Sequence, residues 1–418
     1  MAWWNRGKKS LSVAGAEVYP DGTMFYPIRS DSVNFGTSTV EDQRLAYQRC
    51  APVTSIIGRL VSGHLSRKCY LQNAEGVEVK TAQANKLRTL INRPNPFQDG
   101  KKFEANAITY LRLFGECFIL TPTSDNRDPM TARLMWVLPN WVVRPVYTGK
   151  VFMQTSIEEI QTGWEMYVGG GWVSIPLSDI LRIQDSYINV GTLNGAGITS
   201  FLDGQSRLGA LNDQINLIIK AYEANTELVV NHGAMGVISP KASGTGATSN
   251  VPITHKERES LQKDFMKYGV TRGKWKYILS NIALDFSQIS ANVADLQLIP
   301  SIKESVRQIA ECYGVPMELL GYPEGTTFTN LSEAKKSMYE SEVIPCATTY
   351  TEAFANHFQL GRWGIYYNMY FDHLEMFQKS KQDYASALKT FNEAKKIEFD
   401  NGLISIQEWR EQLIQFES

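Results

Sequence analysis

Two sets of apolar residues in this chain repeat with the same spacing. Leu208, Leu211, Ile215, Ile218 and Tyr222 form one set; Ile299, Ile302, Val306, Ile309 and Tyr313 form the other. Each traces a single apolar stripe along a helix, the pattern of a rod that buries one face. The first set predicts a helix over residues 202–230, about 40 Å long at 1.5 Å per residue. The second predicts a return helix over 296–314. Ser301 and Glu304 fit a capping box for it, Gly314 suits the position just past its end, and Pro316 keeps Val315 extended.

Between the rods, GAMGVISP reads as a strand and KASGTGATSN as a loop. THKERESLQKDFMKYG follows as a charged helix with Leu261, Phe265 and Tyr268 on one face, then KWKYILS and ALDFSQI as two further strands. This is a small α/β insert over 233–292.

Upstream, Val40, Leu45, Ala46, Cys50, Val53, Ile56, Ile57 and Leu60 hold helical spacing from Thr39 to Ser66. Residues 83–115 predict two more helices, split at Asn92–Pro96, where two prolines bias Arg93 and Asn95 away from helix. From 116 to 185 the pattern shortens to β-branched and aromatic runs: CFILTPT, RLMWVLP, WVVRPVY, GWEMYVGGGWVSI and DILRIQD. These predict an antiparallel sheet packed on the preceding helices, with Gly169–Gly171 as a hairpin turn. GTLNGAGITS leads into the first rod.

After the second rod comes the loop GYPEGTTFTN. Asn330 and Glu333 then mark a new helix running from Leu331 towards Phe358. WGIYYNMYFDH, residues 363–373, is an aromatic strand expected to rejoin the earlier sheet, and helical patterns return from Glu375 with a break at Gly402. Residues 1–40 show no sustained period and read as a flexible arm. Trp3 and Trp4 within it fit either an exposed end or an anchor on a neighbouring subunit.

Composition narrows the function. A chain of 418 residues exceeds the size of one core, so two to four units are expected. Hydrophobic content of 43% and charged content of 20% are ordinary for a globular protein, and a net charge of −1 gives no global basic field for nucleic acid. The five cysteines form no CxxC pair and read as reduced core thiols; the five histidines lack metal-site spacing. No metal and no cofactor is expected. No apolar run is long enough to cross a membrane. MAWWNRGKKS has no apolar segment behind its charges, so no signal peptide is expected, and its GKKS lacks the upstream glycine of a phosphate loop. No nucleophile–base pair or paired carboxylates emerge. Asp179, Asp185 and Asp203 read as caps and turns, and no enzyme is expected.

Charge is uneven locally. Between 256 and 276, seven cations (Lys256, Arg258, Lys263, Lys267, Arg272, Lys274, Lys276) face three anions (Glu257, Glu259, Asp264). This stretch is either a solvated helix face or a docking surface for an acidic partner. The loop after the second rod carries Glu324 as its one charge.

Several segments, in order, resemble the portal proteins of tailed double-stranded DNA bacteriophages over roughly residues 40–415: AYQRCAPVTSIIGRLVSGHLS, LINRPNPFQDGKKFEANAITYLRLFGECFIL, WVLPNWVVRP, VVNHGAMGVISP, IAECYGVPMELLG followed by TNLSEA, and FNEAKKIEFDNGLISIQEWREQL. GTLNGAGITS departs from the family's pattern. The resemblance implies an α+β subunit of a twelve-membered ring at one capsid vertex. Its parts would be an arm (1–40), a wing (41–201 with 331–374), stem helices (202–232 and 293–314), a clip (233–292), a turn and tunnel loop (315–330) and a crown (375–418). It implies that double-stranded DNA is packaged and ejected through the ring without sequence-specific contacts. The implied partners are further copies of the chain, the terminase large subunit, a head-completion adaptor and the major capsid protein. The implied location is the virion, with assembly in host cytoplasm.

The residues this assigns are Tyr322, Pro323, Glu324, Gly325, Thr326, Thr327, Phe328 and Thr329 to the tunnel loop, and the seven cations above to the clip. The ten stripe residues are assigned to stem packing. Another phage-like structural ring or adaptor, or the portal of a gene transfer agent, is the alternative; an enzyme is a weaker one.

Overall fold

The computed structural model describes residues 39–123, 127–148, 156–187, 202–230, 236–240, 256, 259, 263, 284–288, 298–321, 328–401 and 405–410, together with 17–18 and 24–25. The chain divides into two compact units, Thr37–Leu211 with Val306–Ser418, and Met1–Gly36 with Asn212–Ser305.

The larger unit opens with two helices where the spacing suggested one. Val40–Arg49 starts on a Thr39–Asp42 capping box, and Ala51–Leu65 follows. Cys50 between them is extended, because Pro52 suits the first turn of a new helix but not the interior of an old one. Ala82–Asn92 and Gly100–Phe114 are the next two helices, split where the prolines predicted. Gly115 ends the last of them in the left-handed region, φ 80°.

The expected single sheet is two three-stranded antiparallel sheets. One orders Trp136–Leu138, Glu116–Leu120 and Ile180–Gln184; the other orders Val143–Tyr147, Gln161–Val168 and Gly171–Ile175. A 3-10 turn over Asn140–Val142 takes the chain out of the first sheet before it can extend it. The sheets meet over Phe118, Val143, Trp164 and Ile180. The hairpin turn is where the sequence placed it, with Gly169 and Gly170 at positive φ.

The aromatic strand Tyr366–Tyr370 joins neither sheet. It pairs with Lys68–Gln72, whose mixed KCYLQ sequence gave no strand signal. Tyr367 and Leu71 are buried on its inner face, so the late chain is still tied to the N-terminal helices.

The next helix begins at Phe328, so Asn330 and Glu333 lie inside it and do not mark its start. It ends at Met338, passes through a π turn at Tyr339–Val343, and resumes as Ile344–His357. Pro345 falls in the first turn of the resumed helix, where its missing N–H is tolerated. Glu375–Asp400 is the longest helix described, and residues 406–410 are helical again. Trp409 Nε1 donates to Asn392 Oδ1 at 3.3 Å, folding the second back on the first.

In the smaller unit, the first rod starts later than its stripe suggested. Arg207–Leu211 is a 3-10 turn belonging to the larger unit, and the α-helix is Asn212–Val230. A 3-10 turn advances about 120° per residue against about 100° in an α-helix, so phase is not carried from Leu208 to Tyr222. Ile215, Ile218 and Ala221 are buried, whereas Tyr222 is 53% exposed. The insert contributes the antiparallel pair Gly236–Pro240 and Leu284–Gln288, as read from GAMGVISP and ALDFSQI. KWKYILS lies outside the described residues. Glu17–Val18 pairs with Met24–Phe25 in a two-residue ladder within the stretch read as an arm, and Trp3 and Trp4 lie outside the described residues.

The return helix is Leu298–Cys312. Ser301 and Glu304 sit inside it, so the expected capping box is not its start. Its far end matches the reading. Val315 N–H donates to Ala310 O (2.8 Å) and Gly314 N–H to Glu311 O (3.0 Å), with Gly314 at φ 61°, a Schellman closure. Val306, Ile309 and Tyr313 are buried, Ile302 is half-buried and Ile299 is 80% exposed.

Candidate functional site

Four charged side chains converge in the core of the larger unit. Arg112 comes from the helix Gly100–Phe114, and Asp185 from the end of the strand Ile180–Gln184. Arg207 opens the 3-10 turn before the first rod, and Glu342 stands in the π turn. Arg207 Nε donates to Asp185 Oδ2 at 2.9 Å and its Nη1 to Glu342 Oε1 at 2.9 Å. Arg112 Nη1 lies 3.2 Å from Asp185 Oδ1 and 2.8 Å from Glu342 Oε2. Two guanidinium groups and two carboxylates cancel in charge, which is what permits their burial. Burial opposes the charge of both guanidinium groups, but Cys346, Asp185 and Glu342 beside Arg112, and Asp185 and Glu342 beside Arg207, hold them more firmly protonated than usual.

Backbone is captured as well. Arg207 Nη1 donates to Cys312 O (3.1 Å) at the end of the return helix, and Arg112 Nη2 donates to Glu342 O (2.8 Å). Tyr313 Oη donates to Arg112 O (3.1 Å), and the Arg207 guanidinium sits 5.7 Å from the Tyr313 ring centre. Gly314 passes so close that a Cβ there would lie 2.5 Å from Glu342 Cγ. Both carboxylates are occupied by guanidinium donors. Within the larger unit the arrangement is a clamp that ties the 3-10 turn Arg207–Leu211 to the end of the return helix at Cys312.

A second buried cluster stiffens the same core. Glu104 pairs with Arg67 and stands 3.0 Å from His64 Nε2, with neither ring nitrogen of His64 aligned for a hydrogen bond. Burial opposes protonation of His64, but Cys346 and Glu104 beside it push its pKa up to about 9. This folded value lies above the ordinary 6.5, so its contribution to stability is full below pH 6.5 and is lost as pH rises through 9. Thermal melts of the parent should therefore lose stability between pH 7 and pH 10, and His64→Gln should flatten that slope. An unchanged slope would remove His64 as its cause.

A third cluster holds the chain just before the rod. Arg182 donates to Glu116 Oε2 (2.9 and 2.6 Å), to Tyr147 Oη (2.9 Å) and to Asp203 Oδ1 (3.2 Å). Gly204 N–H also donates to Glu116 Oε2 at 3.1 Å.

Asp185 and Asp203, read from the sequence as caps and turns, are ion-pair partners, and Asp185 Oδ1 also accepts the Ser186 N–H at 2.9 Å. Asp179 keeps a turn role, accepting from Thr123 N–H at 3.3 Å. The local signal missed them because their partners are far along the chain. Of the expected stem residues, Leu208, Leu211, Ile215, Ile218, Val306, Ile309 and Tyr313 are buried; Ile302 is half-buried, and Tyr222 and Ile299 face outward. Lys256 and Lys263 are helical and exposed; Arg258, Lys267, Arg272, Lys274 and Lys276 lie outside the described residues. So do Tyr322, Pro323, Glu324, Gly325, Thr326 and Thr327, while Phe328 and Thr329 open the helix Phe328–Met338. The five cysteines are free thiols, three of them buried. Among the described residues no cluster of three potential metal ligands occurs, and no helix is long and apolar enough to cross a membrane.

The larger unit is a mixed helix and sheet fold with a buried ion-pair tetrad. The sequence model of the phage portal protein family matches residues 59–413, and the chain belongs to that family. The family is one of structural, non-enzymatic proteins. An uncharacterized protein of Rickettsia bellii (strain RML369-C) is 27% identical over 273 residues, 65% of this chain and 65% of that one. One of Rickettsia felis (strain ATCC VR-1525 / URRWXCal2) is 28% identical over 37% of this chain and 39% of that one. The chain therefore spans about two thirds or less of the curated relatives it matches.

Among solved structures, a chain from the neck of an empty gene transfer agent particle, computed with C6 symmetry, is 18% identical, with 92% of this chain and 93% of that one covered and a TM-score of 0.59. Its counterpart from the neck of the native particle, with C12 symmetry, has 17% identity, the same coverage and a TM-score of 0.57. An HK97 family phage portal protein from Corynebacterium diphtheriae has 9% identity, 80% and 95% coverage and a TM-score of 0.50. At these identities the likeness is one of fold.

Proposed function

We propose that twelve copies of this chain close into a ring at one vertex of a phage-like particle and form the channel through which double-stranded DNA enters and leaves. One observation carries the step from subunit to ring. The rods keep apolar side chains outside, with Leu217 42%, Tyr222 53% and Ile299 80% exposed. Burying such a side chain stabilises by about 1.5–3 kcal/mol, and in a ring each copy gains this against its neighbours. The cyclic symmetry of the particle necks that share this fold supports the same reading.

In this proposal the rods are the stem and residues 233–292 the clip. The cations of 256–276, Lys256 and Lys263 among them, form the surface on which the terminase large subunit and later a head-completion adaptor dock. The wing and crown meet the major capsid protein, and assembly occurs in host cytoplasm. Leading into the helix that begins at Phe328, residues 322–327 form the tunnel loop. Its single charge, Glu324, repels phosphate, so DNA slides past without the salt-dependent grip that lysines would give. A gene transfer agent portal is the second reading, favoured by the higher TM-scores to gene transfer agent necks.

Electron microscopy of the purified full chain should show rings with a central opening. Ile299→Glu should leave the subunit folded while shifting it towards monomers. Deleting residues 323–328 should leave rings intact but impair DNA packaging or retention. A solid particle would end the ring reading, and normal packaging by the deletion would end the loop's role.

A further inference from the structure

The turn between the helices Ala82–Asn92 and Gly100–Phe114 is built to hold one side chain out. Asn95 is 2% exposed. Its Oδ1 accepts the Phe97 N–H (3.0 Å), and its Nδ2 donates to Met135 O and Gln98 Oε1 (3.0 Å each). Met135 N–H in turn donates to Pro94 O at 2.8 Å. On this fixed platform Phe97 is 81% exposed, its ring tilted against Trp136 with centroids 6.0 Å apart. Met130 and Leu134, 46% and 40% exposed, lie on the segment beside it.

Flanking segments supply exposed Arg93, Lys101, Lys102 and Arg133. The acids interspersed with them, Asp99 and Asp128, accept the Lys102 and Met130 amides. A rigid aromatic knob with a basic surround has the make-up of an interface anchor.

The same unit carries a surface of opposite kind. The one-turn helix Ile157–Ile160 exposes Ile157 (58%) with Glu158 and Glu159 beside it. A closed ring requires each copy to offer two different, complementary patches. We infer that the Phe97 turn of one copy docks on the Ile157–Glu159 helix of the next, Phe97 against Ile157 and the cations around the glutamates. The inference rests on the ring reading for its partner, and its test separates the two.

The first measurement is assembly of the full chain, followed by sedimentation. Phe97→Asp and the double variant Glu158→Lys with Glu159→Lys should each raise the concentration for half-assembly roughly tenfold or more. Arg93→Glu with Arg133→Glu, combined with the glutamate reversal, should bring it back towards the parent. Variants that melt with the parent yet assemble as it does would overturn the contact, as would failure of the charge swap to restore it.

The second measurement mixes Phe97→Cys and Ile157→Cys copies under mild oxidation, with the parent and its five cysteines as control. A cross-linked species specific to the mixture supports the contact. Rings without it sink the contact and leave the ring standing. Cross-linking without rings sinks the ring reading alone, and neither sinks both.

Discussion

Arg207→Leu should destabilise the larger unit by about 3–5 kcal/mol, the range for removing one partner of a buried ion pair. The substitution removes more than attraction. Asp185 is 5% and Glu342 15% exposed at the side chain, so both would stay buried facing Arg112 alone. The Cys312 carbonyl at the end of the return helix would also lose its donor. Arg207→Lys should recover little of this, because one ammonium cannot reach two carboxylates and a carbonyl in the planar geometry of a guanidinium. Denaturant titration measures the effect. Adding Glu342→Gln to Arg207→Leu should cost less than the sum of the two single variants, because the second change relieves the charge that the first stranded. A loss below about 1 kcal/mol for Arg207→Leu, within the range of a surface pair, would show that the tetrad holds nothing.

Gly115→Ala should be the most damaging glycine change, at about 3 kcal/mol or more. Gly115 has φ 80°, and a Cβ there would penetrate the Gln205 carbonyl, which is backbone and cannot rotate away. Asp185 N–H donates to Gly115 O at 2.8 Å, so any shift that relieves the clash pulls on the tetrad. Gly76 provides the control. Its φ is 78° and nothing lies within 4 Å of the added Cβ, so Gly76→Ala should show only the left-handed penalty of about 1–2 kcal/mol. Equal costs at the two positions would mean that backbone conformation, and not the approach of residues 204–206, decides the effect.

The clamp was largely illegible in the sequence for a reason these variants expose. Asp185 lies 73 residues from Arg112 and 22 from Arg207, and Glu342 lies 135 residues from Arg207. No local period connects them, and an aspartate after a strand looks like any turn residue. The Asn95 turn was half legible. Its prolines announced a break between helices, but only the distant carbonyl of Met135 makes Asn95 a buried brace that drives Phe97 outward. The rod stripes were legible as helices, yet burial follows where along each rod the core lies. Ile299 and Val306 share a stripe, and one is 80% and the other 2% exposed.

By itself the sequence determined what nearest neighbours along the chain control. These are the helical and strand periods, the breaks at proline, the hairpin at Gly169–Gly171, the Schellman end at Gly314, the α+β class and the resemblance to portal proteins. Tertiary structure alone decided the split into two sheets, the partner of the strand Tyr366–Tyr370, the phase of the first rod and the Arg112–Asp185–Arg207–Glu342 clamp. Local period reflects interactions within one or two turns, whereas charge pairing, strand pairing and burial depend on which distant segments the fold brings within a few ångströms.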